Sequence, residues 1–160
     1  MHIRRAGQLD AKPMAALLNA IIEQGGTTAL TQPVTAADLA AKMAAYAGRN
    51  AWHLAEDQAG MILGFQWLAP NPNLPAEALD IATFVQSGSR QLGIGSALFD
   101  ATCTAARALG CRWINATIRA DNCGGLVYYQ SRGFQDYGRE YNITLADGTR
   151  VDRVQRRFEL

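Results

Sequence analysis

Several features that usually direct the interpretation of a protein are scarce or missing in this chain of 160 residues. No stretch approaches the roughly 18 consecutive apolar residues that span a bilayer, and the opening MHIRRAGQLD lacks the apolar run of a signal peptide. The formal net charge is only +1, which argues against broad electrostatic binding of nucleic acid. We therefore expect one cytoplasmic domain over residues 1–160 that contacts neither a membrane nor nucleic acid.

Cysteine is also scarce, with Cys103, Cys111 and Cys123 as the complete set. Their odd number and their spacing fit neither a disulfide framework nor a metal site. We interpret all three as small core or near-core residues and expect no bound metal. Arginines gather near the C-terminus, where we expect them to form the solvated face of a strand: Arg150, Arg153, Arg156 and Arg157.

Hydrophobic periodicity predicts helices and strands in the order β-αα-βββ-α-β-α-ββ. Asp10 and Thr35 are the residue types that cap helix N-termini, so each is expected to begin one of the first two helices. Asp147-Gly148 predicts the turn of a C-terminal hairpin. Strand groups separated by helices indicate a mixed α/β sheet covered by helices.

The segment RQLGIGSAL, residues 90–98, places two glycines where the third predicted helix begins. Backbone N–H groups at a helix start are unpaired and attract anions. Gly93 and Gly95 would let a phosphate approach closely, Ser96 could add a hydroxyl, and Arg90 a positive charge.

Three phosphate-binding interpretations and one purely structural interpretation apply to this segment. A dinucleotide fingerprint requires a third glycine where Leu98 stands. A Walker-type loop requires Gly-Lys-Ser/Thr, which is absent. A site for the pyrophosphate of an acyl-CoA has neither requirement. The structural alternative is a pair of glycines that only permits close packing of a helix and a strand.

The same segment resembles the Arg/Gln-x-x-Gly-x-Gly/Ala signature of the GNAT superfamily of acetyl-CoA-dependent N-acetyltransferases. DNCGGLVYYQSRGF resembles a later motif of that superfamily, carried here by Asn122, Tyr128-Tyr129 and Gly133-Phe134. LLNAIIEQGGTTALTQPVT is similar to the opening of the phosphinothricin acetyltransferase-like branch. Before the fourth strand, APNPNLPAEAL departs from that branch, which usually carries a longer, charged and aromatic segment there.

The resemblance implies a mostly antiparallel central sheet, flanked by helices, with a V-shaped split between the fourth strand ALDIATFV and the fifth strand CRWINATI. Acetyl-CoA is expected in that split as co-substrate, with its pantetheine arm on backbone groups of Phe84 and Val85. Its pyrophosphate is expected on N–H groups at the helix start, with Arg90 or Gln91 alongside: Leu92, Gly93, Ile94, Gly95 and Ser96.

Tyr129 matches the position of the superfamily's usual general acid, which protonates the departing thiolate. Tyr128, its neighbour, is the rival, because residues one apart in a helix point about 100° apart and only one should face the sulfur. Asn122 is expected to cap the short helix, to hydrogen-bond the pantetheine arm or water, or to do both.

The group that removes the proton from the amine is left open between Asp80, Glu56, His53 and a chain of water molecules. The acceptor pocket is expected to include Thr27, Thr28, Trp67 and Phe84, with Asp80 as a further candidate. Few charges lie in these segments, which favours a small amine or an amino acid over a basic protein tail.

The function expected from these residues is transfer of an acetyl group from acetyl-CoA to the primary amine of a small molecule or amino acid. The alternatives are a non-catalytic acetyl-CoA-binding sensor or partner subunit, and a protein N-terminal acetyltransferase. Relatives in the branch also suggest a homodimer.

Overall fold

The computed structural model describes residues 1–89 and 93–160. Within those residues the strands are β1 (His2–Arg5), β2 (Ala51–Glu56), β3 (Ile62–Ala69), β4 (Ala78–Val85), β5 (Trp113–Arg119), β6 (Gln135–Thr144) and β7 (Arg150–Glu159). The helices are α1 (Ala11–Gln24), α2 (Ala36–Ala45), α3 (Ile94–Ala108) and α4 (Cys123–Ser131), with a 3₁₀ turn at Gln8–Asp10 before α1. Apart from that turn, the element order is the one that the periodicity predicts.

All strands join one sheet in the order β1-β2-β3-β4-β5-β7-β6. Neighbouring strands are antiparallel except β4 and β5, which are parallel. The β4–β5 pairing runs from Ala78↔Trp113 to Asp80↔Asn115 and then stops, although β4 continues to Val85 and β5 to Arg119. The two strands therefore diverge, which confirms the predicted fold class and its V-shaped split.

Each face of the sheet is covered by one pair of helices. Helices α1 and α2 pack Met14, Leu18 and Leu39 against Phe65 and other aromatic side chains of the sheet. On the opposite face, α3 and α4 bury a second cluster that includes Phe99, Ile114 and Tyr129. Burying each such side chain contributes roughly 1.5–3 kcal/mol, so the two cores hold both halves of the split sheet.

The two predicted helix caps have different outcomes. Thr35 caps α2, since its Oγ1 accepts the Asp38 N–H at 3.0 Å and its own N–H is bound by the Asp38 carboxylate at 2.9 Å. Asp10 precedes α1, but its side chain makes no capping bond there. Its carboxylate binds the Arg4 guanidinium at 2.9 and 3.0 Å and the Gly7 N–H at 2.7 Å, because a charged donor attracts a carboxylate more strongly than a neutral amide.

Two other predictions are wrong. Cys103 and Cys111 are buried as expected, but Cys123 is exposed as the first residue of α4. Arg156 is buried in β7, where its guanidinium donates to the Asp136 carboxylate at 2.5 Å and to the Leu126 carbonyl. Its side chain points to the α4 side of the sheet, so it does not belong to a solvated face. None of the helices described here is long and apolar enough to cross a bilayer.

Candidate active site in the split between β4 and β5

The split in the sheet opens into a cleft of about 650 Å³. Ten of the side chains or backbone segments singled out from the sequence line it: Thr27, Thr28, Trp67, Asp80, Phe84, Val85, Gly95, Asn122, Tyr128 and Tyr129. These positions come from five separate parts of the chain. The divergence of β4 from β5 is therefore what brings them together.

The β5-facing edge of β4 is left without a strand partner where it borders the cleft. On its other edge, β4 pairs with β3 as far as Val85, which lies opposite Gly64. The Phe84 side chain turns away into an aromatic cluster, with ring centroids 5.0 Å from those of both Phe65 and Trp67. The Gln86 N–H donates to the Leu63 carbonyl at 2.9 Å, so the alternation of an antiparallel ladder directs the backbone groups of Phe84 to β3 and those of Val85 to the unpaired edge.

The first turn of α3 lies at one end of the cleft. Gly93 occupies the N-cap position with φ 70°, and it has no side chain that could accept a bond from the first-turn N–H groups. The N–H groups of Ile94, Gly95 and Ser96 belong to that turn and have no partner within the helix. The Ile94 side chain itself is fully buried. Arg90, Gln91 and Leu92, the remaining predicted phosphate contacts, lie outside the described residues.

The two glycines of this segment are required for different reasons. Gly93 has a left-handed backbone conformation, and a Cβ there would meet nothing within 4 Å. A Cβ at Gly95 would lie 2.6 Å from Cε1 of Tyr128, a distance at which the ring or the helix must shift. Gly95 is therefore a position of close packing between α3 and α4, whereas the structural alternative expected from the sequence was close packing of a helix and a strand.

Both tyrosines of α4 reach the cleft with their hydroxyls engaged. Tyr129 is 7% exposed, and its hydroxyl lies 2.8 Å from Oγ1 of Thr83. The Tyr128 hydroxyl donates to the Gly95 carbonyl at 2.7 Å and accepts from Nε2 of Gln66 at 3.2 Å. Burial raises the pKa of Tyr128 to about 12 and raises the pKa of Tyr129 as well, so both phenols keep their protons at neutral pH.

Gln66 was not predicted from the sequence, although it is fully buried beneath both tyrosines. Its Nε2 donates to Oγ1 of Thr83 at 2.8 Å as well as to Tyr128, and its Oε1 accepts from the Thr102 hydroxyl at 2.5 Å. The signal available in the sequence was a lone amide inside the apolar strand MILGFQWLAP, since a polar side chain buried in a strand needs partners.

Asn122 caps α4, with Oδ1 accepting the Gly125 N–H at 3.0 Å. Its Nδ2 donates to the Thr27 carbonyl, also at 3.0 Å. Next to it, Arg119 donates to the Thr28 carbonyl at 3.1 Å while a bidentate contact of 2.8 and 2.9 Å holds it to Asp121. The loop after α1 is thereby tied to β5 and α4 across the cleft. The role of Arg119 was not predicted, because no local pattern marks it.

Asp80 is the one candidate base that lines the cleft among the residues described. Its carboxylate accepts from Nδ2 of Asn115 at 2.9 Å and from Nδ2 of Asn71 at 3.2 Å, and burial raises its pKa. The Tyr137 hydroxyl donates to Oδ1 of Asn115 and so fixes the orientation of that amide. Asn115 and Tyr137 were not predicted, because their meeting depends on the β5–β7–β6 pairing.

The other two candidate bases lie elsewhere in the described part of the chain. Glu56 accepts from Nε of Arg4 at 3.1 Å at the β1–β2 end of the sheet. His53 is buried in β2, where burial and the charge of Arg5 lower its pKa. Within residues 1–89 and 93–160, no three His, Cys, Asp or Glu side chains are arranged to hold a metal ion.

Residues 15–134 match the acetyltransferase (GNAT) family, and the chain belongs to that family. Its members are acetyltransferases, as the sequence motifs indicate. A search of curated protein sequences returned no match.

Solved structures agree with the fold. A provisionally assigned phosphinothricin N-acetyltransferase is 26% identical, with a TM-score of 0.87 over 99% of this chain and 98% of that one. A ribosomal-protein-alanine N-acetyltransferase from Brucella melitensis is 21% identical, with a TM-score of 0.89 over the whole of both chains. A phosphinothricin acetyltransferase from Sinorhizobium meliloti, solved in complex with acetyl-CoA, is 20% identical, with a TM-score of 0.88 over 99% of this chain and 88% of that one. These neighbours are named for different acceptors, so the shared fold leaves the acceptor open.

Proposed function

We propose that this protein transfers the acetyl group of acetyl-CoA to the primary amine of a small molecule or amino acid. The observation that carries the proposal is the unpaired edge of β4, which shares one cleft with the hydroxyl of Tyr129. An extended amide-bearing arm can pair with such an edge, and its thioester end then lies beside a protonated phenol. Family membership and the acetyl-CoA complex of the Sinorhizobium neighbour support the choice of donor.

The donor would be held at two places. The amides of the pantetheine arm would pair with backbone groups around Phe84 and Val85, as an added half-strand would. The pyrophosphate would take the unpaired N–H groups of the first turn of α3, residues 93–96, where the helix dipole also favours an anion. Arg90, Gln91 and Leu92 remain predicted contacts of the same phosphates.

The reaction is direct attack by the amine nitrogen on the thioester carbonyl carbon, followed by cleavage of the carbon–sulfur bond. Tyr129 gives its phenolic proton to the departing CoA sulfur, and a proton lost from the amine nitrogen restores the phenol. A thiol pKa near 8.5 makes the thiolate a fair leaving group, so the acid has to contribute only about 10²–10⁴-fold.

The acceptor would enter from the side of the cleft formed by Thr27, Thr28 and Trp67. Asp80 lies at the vertex of the split, and we propose that its carboxylate attracts the protonated amine, while water carries away the proton that the ammonium group loses before the attack. Asn122 has one further Nδ2 hydrogen beyond the one donated to Thr27, and we assign it to the pantetheine arm. A homodimer and a cytoplasmic location also remain predictions.

Release of the CoA thiol from acetyl-CoA, measured over a panel of amino acids, amino-acid analogues, polyamines and short peptides, tests the proposal. We expect turnover with a subset of the small amines, and a kcat at least about tenfold lower for Tyr129→Phe at unchanged acetyl-CoA affinity. Turnover confined to peptides would replace the small-amine acceptor with a protein N-terminus. Tight acetyl-CoA binding without turnover on any amine would refute the catalytic proposal in favour of a sensor.

A further inference from the structure

A buried chain of hydrogen bonds runs from α3 through the sheet to the tyrosines of α4. It links Thr102, Gln66 and Thr83 to Tyr129, with a branch from Gln66 through Tyr128 to the Gly95 carbonyl. Thr102 and Gln66 are fully buried, so water does not compete for these bonds. Hydroxyl and amide groups can both donate and accept hydrogen bonds. The direction of donation along such a chain is therefore defined only if a group at one end can do just one of the two.

The Gly95 carbonyl is that end, because a carbonyl oxygen can only accept. The Tyr128 hydroxyl must donate its single hydrogen to the Gly95 carbonyl oxygen, 2.7 Å away. Tyr128 can then only accept from Gln66, and this requires the nitrogen of the Gln66 amide, not its oxygen, to face the tyrosines. The Gln66 oxygen is left to accept from Thr102 on the other side.

The same orientation leaves the hydrogen of the Thr83 hydroxyl available for donation. Nε2 of Gln66 donates its second hydrogen to Oγ1 of Thr83 at 2.8 Å. Thr83 keeps its own hydrogen, and Tyr129 is its other hydrogen-bonding partner among the described residues. Donation from Thr83 to the Tyr129 oxygen leaves the Tyr129 hydrogen free to point into the cleft, where the departing sulfur could accept it. In the reverse direction Tyr129 donates its hydrogen to Thr83, which also lines the cleft, and no phenolic hydrogen is left for the sulfur.

We infer that Gln66 is a positioning residue that, through Thr83, turns the phenolic hydrogen of Tyr129 toward the thioester, while Tyr128 sets the polarity of the chain and is not the acid. The inference rests on the proposed function, in which Tyr129 protonates the departing thiolate. After that transfer, the Thr83 hydroxyl already donates to the Tyr129 oxygen, so the phenolate forms with a hydrogen bond in place. Gln66 touches neither substrate in this assignment.

Gln66→Glu tests the direction of the chain at nearly constant shape. An ionised carboxylate cannot donate, so Thr83 would turn its hydrogen toward residue 66, and Tyr129 would then donate to Thr83 and away from the cleft. We expect kcat to fall by about tenfold or more, with the acetyl-CoA Kd unchanged. Lowering the pH should protonate the buried carboxyl group and restore a donor, so the activity of the variant relative to wild type should rise as pH falls.

Thr83→Val tests the next step, with Thr83→Ser as the conservative rescue and Thr104→Val as the matched control at an exposed position of α3. We expect Thr83→Val to lower kcat by about tenfold, Thr83→Ser to keep most of the wild-type rate, and Thr104→Val to keep all of it. Circular dichroism melts accompany each variant, and only variants that are folded at the assay temperature are compared.

The outcomes separate this inference from the proposed function. If Tyr129→Phe lowers kcat but Gln66→Glu and Thr83→Val do not, the assignment of Tyr129 as the acid is supported and the positioning role of Gln66 and Thr83 is refuted. If Tyr128→Phe abolishes turnover while Tyr129→Phe does not, the polarity argument is wrong and Tyr128 is the acid. If the wild-type protein turns over no amine at all, the proposed function fails independently of any variant.

Discussion

Gly95→Ala separates two reasons for a glycine at the start of α3. One reason is access for a phosphate to the backbone, and the other is space for the ring of Tyr128. A Cβ at this position would lie 2.6, 3.2 and 3.3 Å from three carbons of that ring, whereas ordinary contacts begin at 3.4 Å. The ring must therefore move by roughly 0.8 Å or the helix must shift by the same amount.

The ring has little freedom to make that movement. It packs edge-on against Tyr129 with centroids 4.9 Å apart, and its hydroxyl is fixed at 2.7 Å from the Gly95 carbonyl. Overpacking of this kind costs about 1–3 kcal/mol. The higher helix propensity of alanine relative to glycine offsets at most about 1 kcal/mol of this cost, and less in the first turn of a helix. We expect the free energy of unfolding to fall by about 1–2 kcal/mol.

The activity of Gly95→Ala gives the sharper comparison. Displacing Tyr128 disturbs the bond from Gln66 and hence the direction of the chain, so we expect kcat to fall by about tenfold. The backbone N–H of residue 95 remains, so the acetyl-CoA Kd should change little. Steady-state kinetics, calorimetric titration with acetyl-CoA and urea unfolding measure these quantities. A variant with unchanged stability and kcat but a much weaker Kd would refute the packing argument and restore phosphate access as the reason for this glycine.

Two further predictions concern the ends of the cleft. Gly93→Glu should abolish measurable acetyl-CoA binding in calorimetry while the protein remains folded by circular dichroism, because the side chain adds negative charge where the phosphates are expected; an unchanged Kd would contradict the phosphate assignment. Asp80→Asn should raise the KM for the amine by about tenfold, as for loss of a charged hydrogen bond. Since folding raises the Asp80 pKa above 3.8, ionisation of the carboxyl group costs the native state stability as pH rises through the interval above that value. The unfolding free energy of the variant relative to wild type should therefore increase across that interval and then level off, and a decrease would refute the sign.

Local rules predicted most of the fold. Alternation and helical periodicity predicted the strands and helices of the described residues in order, and Thr35 caps the second helix as predicted. Two of the failures arose where a charged partner on another element competes with the predicted surroundings. The Asp10 carboxylate binds Arg4 instead of capping its helix, and the Arg156 guanidinium binds Asp136 instead of facing solvent.

The site was predictable to the extent that its residues lie on the recognised motifs. Tyr129, Asn122 and Gly95 belong to such motifs, and the structure brings them to one cleft. Gln66 and Asn115 were missed because each matters through partners on other strands and helices, at separations of up to 62 residues. A sequence can show that a buried amide is unusual, but the register of the sheet decides which groups it meets.

Two hydrogen bonds attach the loop that follows α1 to β5 and α4, and they bear on how the acceptor preference of this protein could be altered. Asn122 and Arg119 hold that loop by the carbonyls of residues 27 and 28, not by the threonine side chains. Carbonyls are retained in every substitution, so the two side chains can change in size and polarity without loss of these bonds, although Thr28 Oγ1 also accepts the Leu30 N–H at 3.2 Å within the loop. The same Asn122 amide holds the first turn of the helix that carries Tyr129. We therefore expect that position 27 can be varied to change the proposed amine entrance while Asn122 keeps the helix of the proposed acid in place.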